Sequence, residues 1–462
     1  MPDGFNVCLA ALRLIRQTGG RVFRRIFSKA MSAFLSFHWH SFVLALRAGV
    51  KWLGSGPVAL TGFAALSVSL ALLLLYGARA RGFHIDGQYQ LLGSAVLAGS
   101  DQVLGRDYSF YLGLIPSKIL ALFTGLSAGG FVALTQMLSL ICWGAVIFLL
   151  VKILTRQRVS LAAVLLLYLV FVCLMVTAAP ELRVLFPDNS ALSYRFIFSL
   201  ALFLLTDVLA RRSSPPRILI AAIIAAMPLM SFDYGIPLGV IAGLNVAWIF
   251  RQNPRRVAEI GGLSLIIFLA MLLVFTKGHL FGYLERQAAI ADGQYWYFET
   301  YGHKLYTIGQ AAGRVWQLVQ EYPSFAALLI YGLVICRRVS VVLAVAALLL
   351  APLMLESVGH ISNRYYRPLW AFGLCIALTG SFVRMAQWLW FRQLVKRKLS
   401  AGRFAAVTYA IVFVFIVFSW PALDARMAYR MHMNQYTDFI DVKTQGFFEA
   451  LPPGQRIVSE YY

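Results

Sequence analysis

Carboxylates and guanidiniums lying next to apolar segments are the residues of this chain with chemistry to offer. Asp86 follows the first long apolar run within Arg79-Ala80-Arg81-Gly82-Phe83-His84-Ile85-Asp86-Gly87-Gln88-Tyr89, and Asp107 stands in Gly105-Arg106-Asp107-Tyr108-Ser109-Phe110-Tyr111. A second cluster, His360-Ile361-Ser362-Asn363-Arg364-Tyr365-Tyr366-Arg367-Pro368, enters a late apolar run. Asp233 interrupts another apolar stretch as Ser231-Phe232-Asp233-Tyr234-Gly235. Carboxylates can take a proton from a hydroxyl held within hydrogen-bond reach, and guanidiniums bind phosphate oxygens bidentately. CxxC, HExxH, GxSxG and P-loop patterns are absent, which removes most of the familiar soluble chemistries. Each candidate also has a structural alternative. An acid beyond a helix end can be merely solvated, and an Arg-Tyr-Tyr-Arg run can be an aromatic belt with snorkelling arginines.

The elements that must position these residues are membrane helices. The chain has 462 residues, of which 60% are hydrophobic and only 13% charged, with a mean hydropathy of +0.73. Soluble domains are about half apolar and about a quarter charged. So little charge cannot cover a soluble surface of this length. The composition implies an all-α polytopic membrane protein. It excludes a secreted enzyme, a cytosolic Rossmann protein and a nucleic-acid-binding domain, although the pI is about 10.1.

Apolar runs suited to about 30 Å of hydrocarbon occur at 56–77, 131–151, 159–178, 191–210, 257–276, 323–336, 341–355, 368–383 and 404–420. The stretch 218–250 has basic flanks on both sides: Arg211, Arg212 and Arg217 before it, Arg251, Arg255 and Arg256 after it. The positive-inside rule therefore sends it out and back, as two short crossings or a re-entrant hairpin. That makes about 11 crossings with the N-terminus in the cytoplasm. In this topology 25 Lys and Arg face 3 acids on the cytoplasmic side and 16 face 16 on the other, so the whole +22 excess sits on one face. Topology and anionic lipid account for that excess, with no nucleic acid as partner.

Residues 1–55 read as a cytoplasmic basic arm, with Phe23, Ile26, Phe27, Ala30, Phe34 and Phe37 forming one face of a surface helix. The module 56–420 follows, and 421–462 is a tail too short for its own core. None of the five cysteines falls in an outer loop, so no disulfide framework is expected. Nearly all the acids lie in outer segments: the first outer loop 78–130, 179–190, the aromatic-rich loop 277–322, 356–367 and the tail 421–462. Recognition or catalysis is expected on that face.

The order of one spanning helix, an acid at its outer end, an amphipathic stretch to Leu97, Gly-x-Asp-aromatic at 105–108 and a further helix at 115–126 resembles the GT-C superfamily of membrane glycosyltransferases. These use polyprenyl-phosphate-linked sugars, and they include protein mannosyltransferases, aminoarabinose transferases and bacterial arabinofuranosyltransferases. The resemblance is one of layout over roughly the first 420 residues. It extends to Phe186-Pro187-Asp188-Asn189-Ser190, to the hairpin around Asp233 and to the 360–368 cluster.

The resemblance implies two juxtamembrane helices in the first outer loop and makes Asp86 the catalytic base. Many members carry Asp-Glu there, where this chain has Asp86-Gly87. Asp107 would be a second acid that orients the acceptor or holds a divalent cation, and no other cofactor is implied. Arg364 and Arg367, with Lys118, Arg195 and Lys277, are candidates for the donor phosphate; His360, Tyr365, Tyr366 and Asp233 are candidates for the rest of the substrate. The implied reaction moves a sugar (arabinofuranose or another pentose or hexose) to an envelope glycan, lipid or protein such as pilin. It would occur on the outer face of a bacterial inner membrane, with inversion. The competing class is a lipid or solute transporter, for which the broken stretch at Asp233 is the signature. Against it, Asp207 and Glu259 lie near helix ends rather than at the membrane midplane.

Overall fold

Backbone polar groups in lipid must bond within their own segment, which favours helices over open strands. The computed structural model follows that rule. It describes residues 89–391 except 101, 105, 108–112, 127, 156–160, 178–183, 186–191, 298–306 and 358–362, and it contains helices and no strand among the described residues. A π-helical turn, Tyr89–Gly93, runs into α1 (Ser94–Gly99); α2 (Leu114–Ala121) follows. The long helices begin with α3 (Ala128–Leu154), α4 (Leu161–Thr177) and α5 (Leu192–Ala210). Next come α6 (Arg217–Met230), α7 (Gly235–Ile249) and α8 (Pro254–Phe275). The chain continues through α9 (Leu280–Tyr297), α10 (Ile308–Glu321), α11 (Pro323–Cys336), α12 (Val339–Ser357), a 3-10 turn at Asn363–Tyr366 and α13 (Arg367–Phe391). The basic arm, the run 56–77, Asp86, the 186–190 motif, His360, the run 404–420 and the tail lie outside the described residues.

Four helical segments are long and apolar enough to cross a membrane: Leu134–Leu154, Leu192–Ala210, Pro254–Phe275 and Val339–Glu356. A fifth arises if α10 and α11, which meet at a bend of 108°, count as one span. Because α8 leaves Leu265, Ile266, Leu269, Leu273 and Val274 exposed, it offers an apolar face too large for water to tolerate comfortably.

The core forms where α3, α4, α5, α7, α12 and α13 meet, around the fully buried Trp143, Phe171, Phe196 and Tyr234. Trp143 packs on Phe171 and Phe196, with ring centroids 4.8 and 5.7 Å away. Its indole N–H donates to the Val184 carbonyl at 3.2 Å. Buried hydroxyls are met in the same way: Tyr168 Oη donates to the Leu140 carbonyl at 3.0 Å and Tyr194 Oη to the Thr135 carbonyl at 2.9 Å. The described cysteines Cys142, Cys336 and Cys375 are free thiols.

The stretch 218–250 folds as two short apolar helices, α6 and α7, joined at a break, with their far ends near one another. At one end Asn245 Nδ2 donates to Asp207 Oδ1 at 2.9 Å, and Arg217 pairs with Glu259 at 2.6 Å. Asp207 is wholly buried and also accepts from Arg211 Nε, one turn on, at 2.9 and 3.0 Å. At the other end the hairpin breaks at Ser231, which is extended (φ −163, ψ 152). Pro228 prepares the break by withholding one helical N–H. The turn is tight enough to require glycine: a Cβ on Gly235 would stand 2.1 Å from the Met227 carbonyl oxygen. Loop 277–322 is largely helical, as α9 and α10. The helix expected at 115–126 stops at Ala121 and continues as tight turns through Leu126, whose amides bond carbonyls three residues back.

Candidate functional site

The break between α6 and α7 gathers polar side chains at the end of the bundle opposite Asp207. Arg195, in the first turn of α5, places Nε 2.6 Å from Asp233 Oδ2, with both side chains about 5% exposed. The Arg195 guanidinium also lies 5.1 Å from the centre of the Tyr365 ring, and Arg364 lies 5.0 Å from the same ring. Cation–π contact suits a guanidinium, which is weakly hydrated and planar. Arg364 Nη2 donates to Tyr365 Oη at 3.1 Å, and Tyr234 Oη donates to the Tyr365 carbonyl. Ser231 Oγ donates to the Arg195 carbonyl and accepts the Gly235 N–H at 3.0 Å. One hydroxyl thus ties α5 to both arms of the broken hairpin. Arg195 and Asp233 neutralise each other and brace this break, while Arg364 stands half-buried at its rim.

The segment that carries α1 and α2 docks directly beside the break. Gly113, just before α2, meets Met230 so closely that a Cβ would come within 1.8 Å of the Met230 carbonyl oxygen. Leu104 and Leu114 of this segment pack with Leu229, Leu272 and Tyr283, and the Phe232 ring lies 6.0 Å from that of Tyr283. This contact holds α2 against α6, and α1 packs on α2. It also carries Lys118 of α2 to the outer end of α8, beside Phe275. Lys118 Nζ donates to the Ala98 carbonyl at 2.6 Å. Its pKa is lowered, mainly by burial and further by the nearby Lys277 ammonium.

Lys277 carries a second sign of constraint. Gly278 N–H bonds the Leu273 carbonyl at 3.0 Å and Lys277 N–H the Val274 carbonyl at 3.2 Å, the pair of bonds that closes a Schellman motif. The residue in the left-handed position of that motif is usually glycine; here it is Lys277, with φ 48. Lys277→Gly is expected to raise stability by about 0.5–1 kcal/mol through relief of this conformation, visible as a higher Tm. If Lys277 binds donor phosphate, the same variant shows a raised donor KM; an unchanged KM would remove it from the site.

Asp107 is engaged locally. Its carboxylate accepts from Arg106 Nε and Nη2, both at 2.8 Å, and from the Val103 N–H at 2.7 Å. Arg286 of α9 donates to the Arg106 carbonyl and adds positive charge. The Arg106 hydrogen bonds, then the Val103 amide, hold the Asp107 carboxyl well below the usual carboxylate range. Because its folded pKa is depressed, its support for the loop is complete above about pH 4, the unfolded value, and fades as pH falls through the lowered pKa. Limited proteolysis between residues 100 and 113 should therefore be slow in wild type down to pH 4 and faster at neutral pH in Asp107→Asn. Equal cleavage of both proteins at neutral pH would show that this tie contributes nothing.

A further cluster escapes sequence reasoning. The Glu356 carboxylate at the end of α12 is fully buried and accepts from Arg314 Nη2 at 2.8 Å, Arg314 Nε at 3.1 Å and Tyr366 Oη at 2.9 Å. Arg314 also bonds Asn363, which donates to Glu321. The Arg314 guanidinium lies 5.6 Å from the centre of the Tyr366 ring. The local signal was the capping box Thr307-x-x-Gln310 that starts α10. It locates the helix but does not say where Arg314 points.

Of the residues singled out in sequence, the structure joins Arg195, Asp233, Arg364 and Tyr365 in one cluster, with Tyr366 linking it to Glu356. It brings Lys118 towards Lys277 and leaves Asp107 tied to Arg106. Arg367 opens α13 beside Tyr366 and is half-buried. Asp86 and His360 lie outside the described residues. Among the described residues no three His, Cys, Asp or Glu side chains converge as they would to hold a metal ion, and Asp107 has its carboxylate taken by Arg106 and Val103. No protein-family model, curated protein or solved structure matches this chain.

Proposed function

We propose that this protein is a membrane glycosyltransferase of GT-C type, with about 11 spans, taking a sugar from a polyprenyl-phosphate donor in a bacterial inner membrane. The observation that carries the reading is the docking of α2, on which α1 packs, beside the break between α6 and α7. That packing puts Leu114 against Leu229, next to the break that carries the Arg195–Asp233 pair, and Lys118 of α2 feels the Lys277 ammonium. A lipid donor keeps its tail among apolar helices and its phosphate at their ends, where such cations are needed.

In this mechanism Asp86 accepts the proton of the acceptor hydroxyl as its oxygen attacks the anomeric carbon. The bond from that carbon to the phosphate oxygen breaks, and polyprenyl phosphate leaves with one more negative charge. Lys118, Lys277, Arg364 and Arg367 would stabilise that charge as it develops. Attack opposite the leaving group inverts the anomeric centre. The acceptor is an envelope glycan, lipid or protein on the periplasmic side.

One observation favours a transporter as the second reading: Asp233 is buried at a helix break. Its partner Arg195 already neutralises it, however, in the first turn of α5.

Purified protein with a panel of polyprenyl-phosphate sugars and an envelope extract tests the first reading. Transfer with release of polyprenyl phosphate is expected for one donor class. Movement of labelled lipid across reconstituted vesicles without turnover of any donor would establish the second.

A further inference from the structure

At the opposite end of α12 from Glu356, the helices form an open cavity that the transfer reaction does not use. It has a volume of about 270 Å³ and lies between the last turn of α11, the Arg337–Arg338 turn that follows it, Gly380–Arg384 of α13 and Leu154 at the end of α3. Its charged lining consists of Arg337, Arg338 and Arg384, and no acidic side chain among the described residues joins them.

Close packing of α11 on α13 creates this space. A Cβ on Gly380 would lie 2.2 Å from Ile335 Cγ2, so the two helices approach as small residues allow in membranes. The arginines are held by main-chain carbonyls: Arg337 Nε donates to Val334 O at 3.1 Å and Arg384 Nη2 to Ile335 O at 3.4 Å. Each guanidinium has five donors, so these bonds orient the groups and leave further N–H for a ligand. Arg337 is also fixed in a left-handed conformation, φ 48 and ψ 40. Ser340, two residues after Arg338, is fully buried, and its hydroxyl has no partner among the described residues.

Three like charges around one cavity repel each other, the more so where lipid lowers the dielectric. An anion removes that cost. The volume falls just short of the roughly 300–1,000 Å³ of sites that enclose a whole drug-sized ligand, and it suits a headgroup whose remainder stays outside. Leu154, Ile335 and Val383 give the lining an apolar side, where a glycerol backbone would rest and a hydrated phosphate ion would gain nothing.

We propose that this cavity binds the phosphate of an anionic phospholipid from the leaflet on the basic side of the protein. Basic pockets between membrane helices on that side are suited to such headgroups. The site is independent of the sugar-transfer reading.

The test uses the full-length protein in nanodiscs of phosphatidylcholine with and without phosphatidylglycerol, and native mass spectrometry to count retained lipid. Phosphatidylglycerol should be retained over phosphatidylcholine by about tenfold or more. The variant Arg337→Gln/Arg338→Gln/Arg384→Gln should lose that preference. Arg251→Gln/Arg255→Gln/Arg256→Gln, which removes the same charge elsewhere on the basic side, should keep it. If both triple variants lose it equally, or neither does, the proposal fails. Equal protection of the lipid-free protein by soluble glycerol phosphate would assign the cavity to a free phosphate ester and also overturn it. If the first triple variant misfolds, Arg384→Gln alone decides: its exposed side chain can be changed without disturbing the core. A preference reduced about threefold supports the site, and an unchanged one overturns it.

Discussion

Asp86→Asn should lower sugar transfer by about 10²–10⁴-fold, the usual contribution of a positioned general base, while donor binding stays near wild type. The substitution keeps the size of the side chain and its hydrogen-bonding oxygen but removes the basic site. The acceptor hydroxyl must then lose its proton to water, and the cost falls on the chemical step. Donor phosphate would still meet Lys118, Lys277, Arg364 and Arg367, so donor KM should change little and kcat should fall. The pH profile gives a second readout. A wild-type rate that falls in acid, with a limb that Asp86→Asn abolishes, is expected if Asp86 is the base. A variant that transfers sugar within threefold of wild type would remove Asp86 as the base, leaving Asp107 the next carboxylate to examine in the first outer loop.

Breaking the Arg195–Asp233 pair should have the largest effect on stability. Asp233→Ala leaves a guanidinium that is about 5% exposed without its counter-charge. Removing one partner of a buried pair typically costs about 3–5 kcal/mol. The Tyr365 ring would remain in contact with a charge it cannot neutralise. Arg195→Met/Asp233→Leu removes both charges at similar volume, and most of the lost stability should return. Thermal unfolding in detergent of the wild type, both single variants and the double variant closes this cycle. Single variants as stable as wild type would show that the pair is not desolvated as its burial indicates. The double variant also separates the functional readings: if the pair only braces the hairpin, donor turnover survives with stability. If Arg195 binds phosphate, or if Asp233 carries a transported group, the double variant folds and is inactive.

Hydropathy and charge determined much of this architecture without any tertiary information. Spanning helices are legible because each satisfies its backbone within a single segment and must be apolar over a fixed length. The interruption at Ser231–Gly235 was legible in the same way, and the helices α6 and α7 do break there. Helix in the segment 89–121 was also legible, although α2 ends at Ala121 rather than at 126.

What the helices do to one another was decided only by packing. Arg195 and Asp233 were both conspicuous in sequence, one as a phosphate ligand and the other as a substrate contact, yet nothing in their surroundings marks them as partners. Their pairing needs the exact break at Ser231 and the first turn of α5 to meet. Glu356 and Arg314 were not singled out at all, because a carboxylate at a helix end usually meets water. Here the 108° turn between α10 and α11 lays Arg314 over it. Gly113 and Met230 are far apart in the chain, and α2 touches α6 only because the glycine has no side chain there. Such contacts carry no periodicity, so they leave no trace in a linear reading; they exist only once close-packed helices fix which side chains can share a buried space.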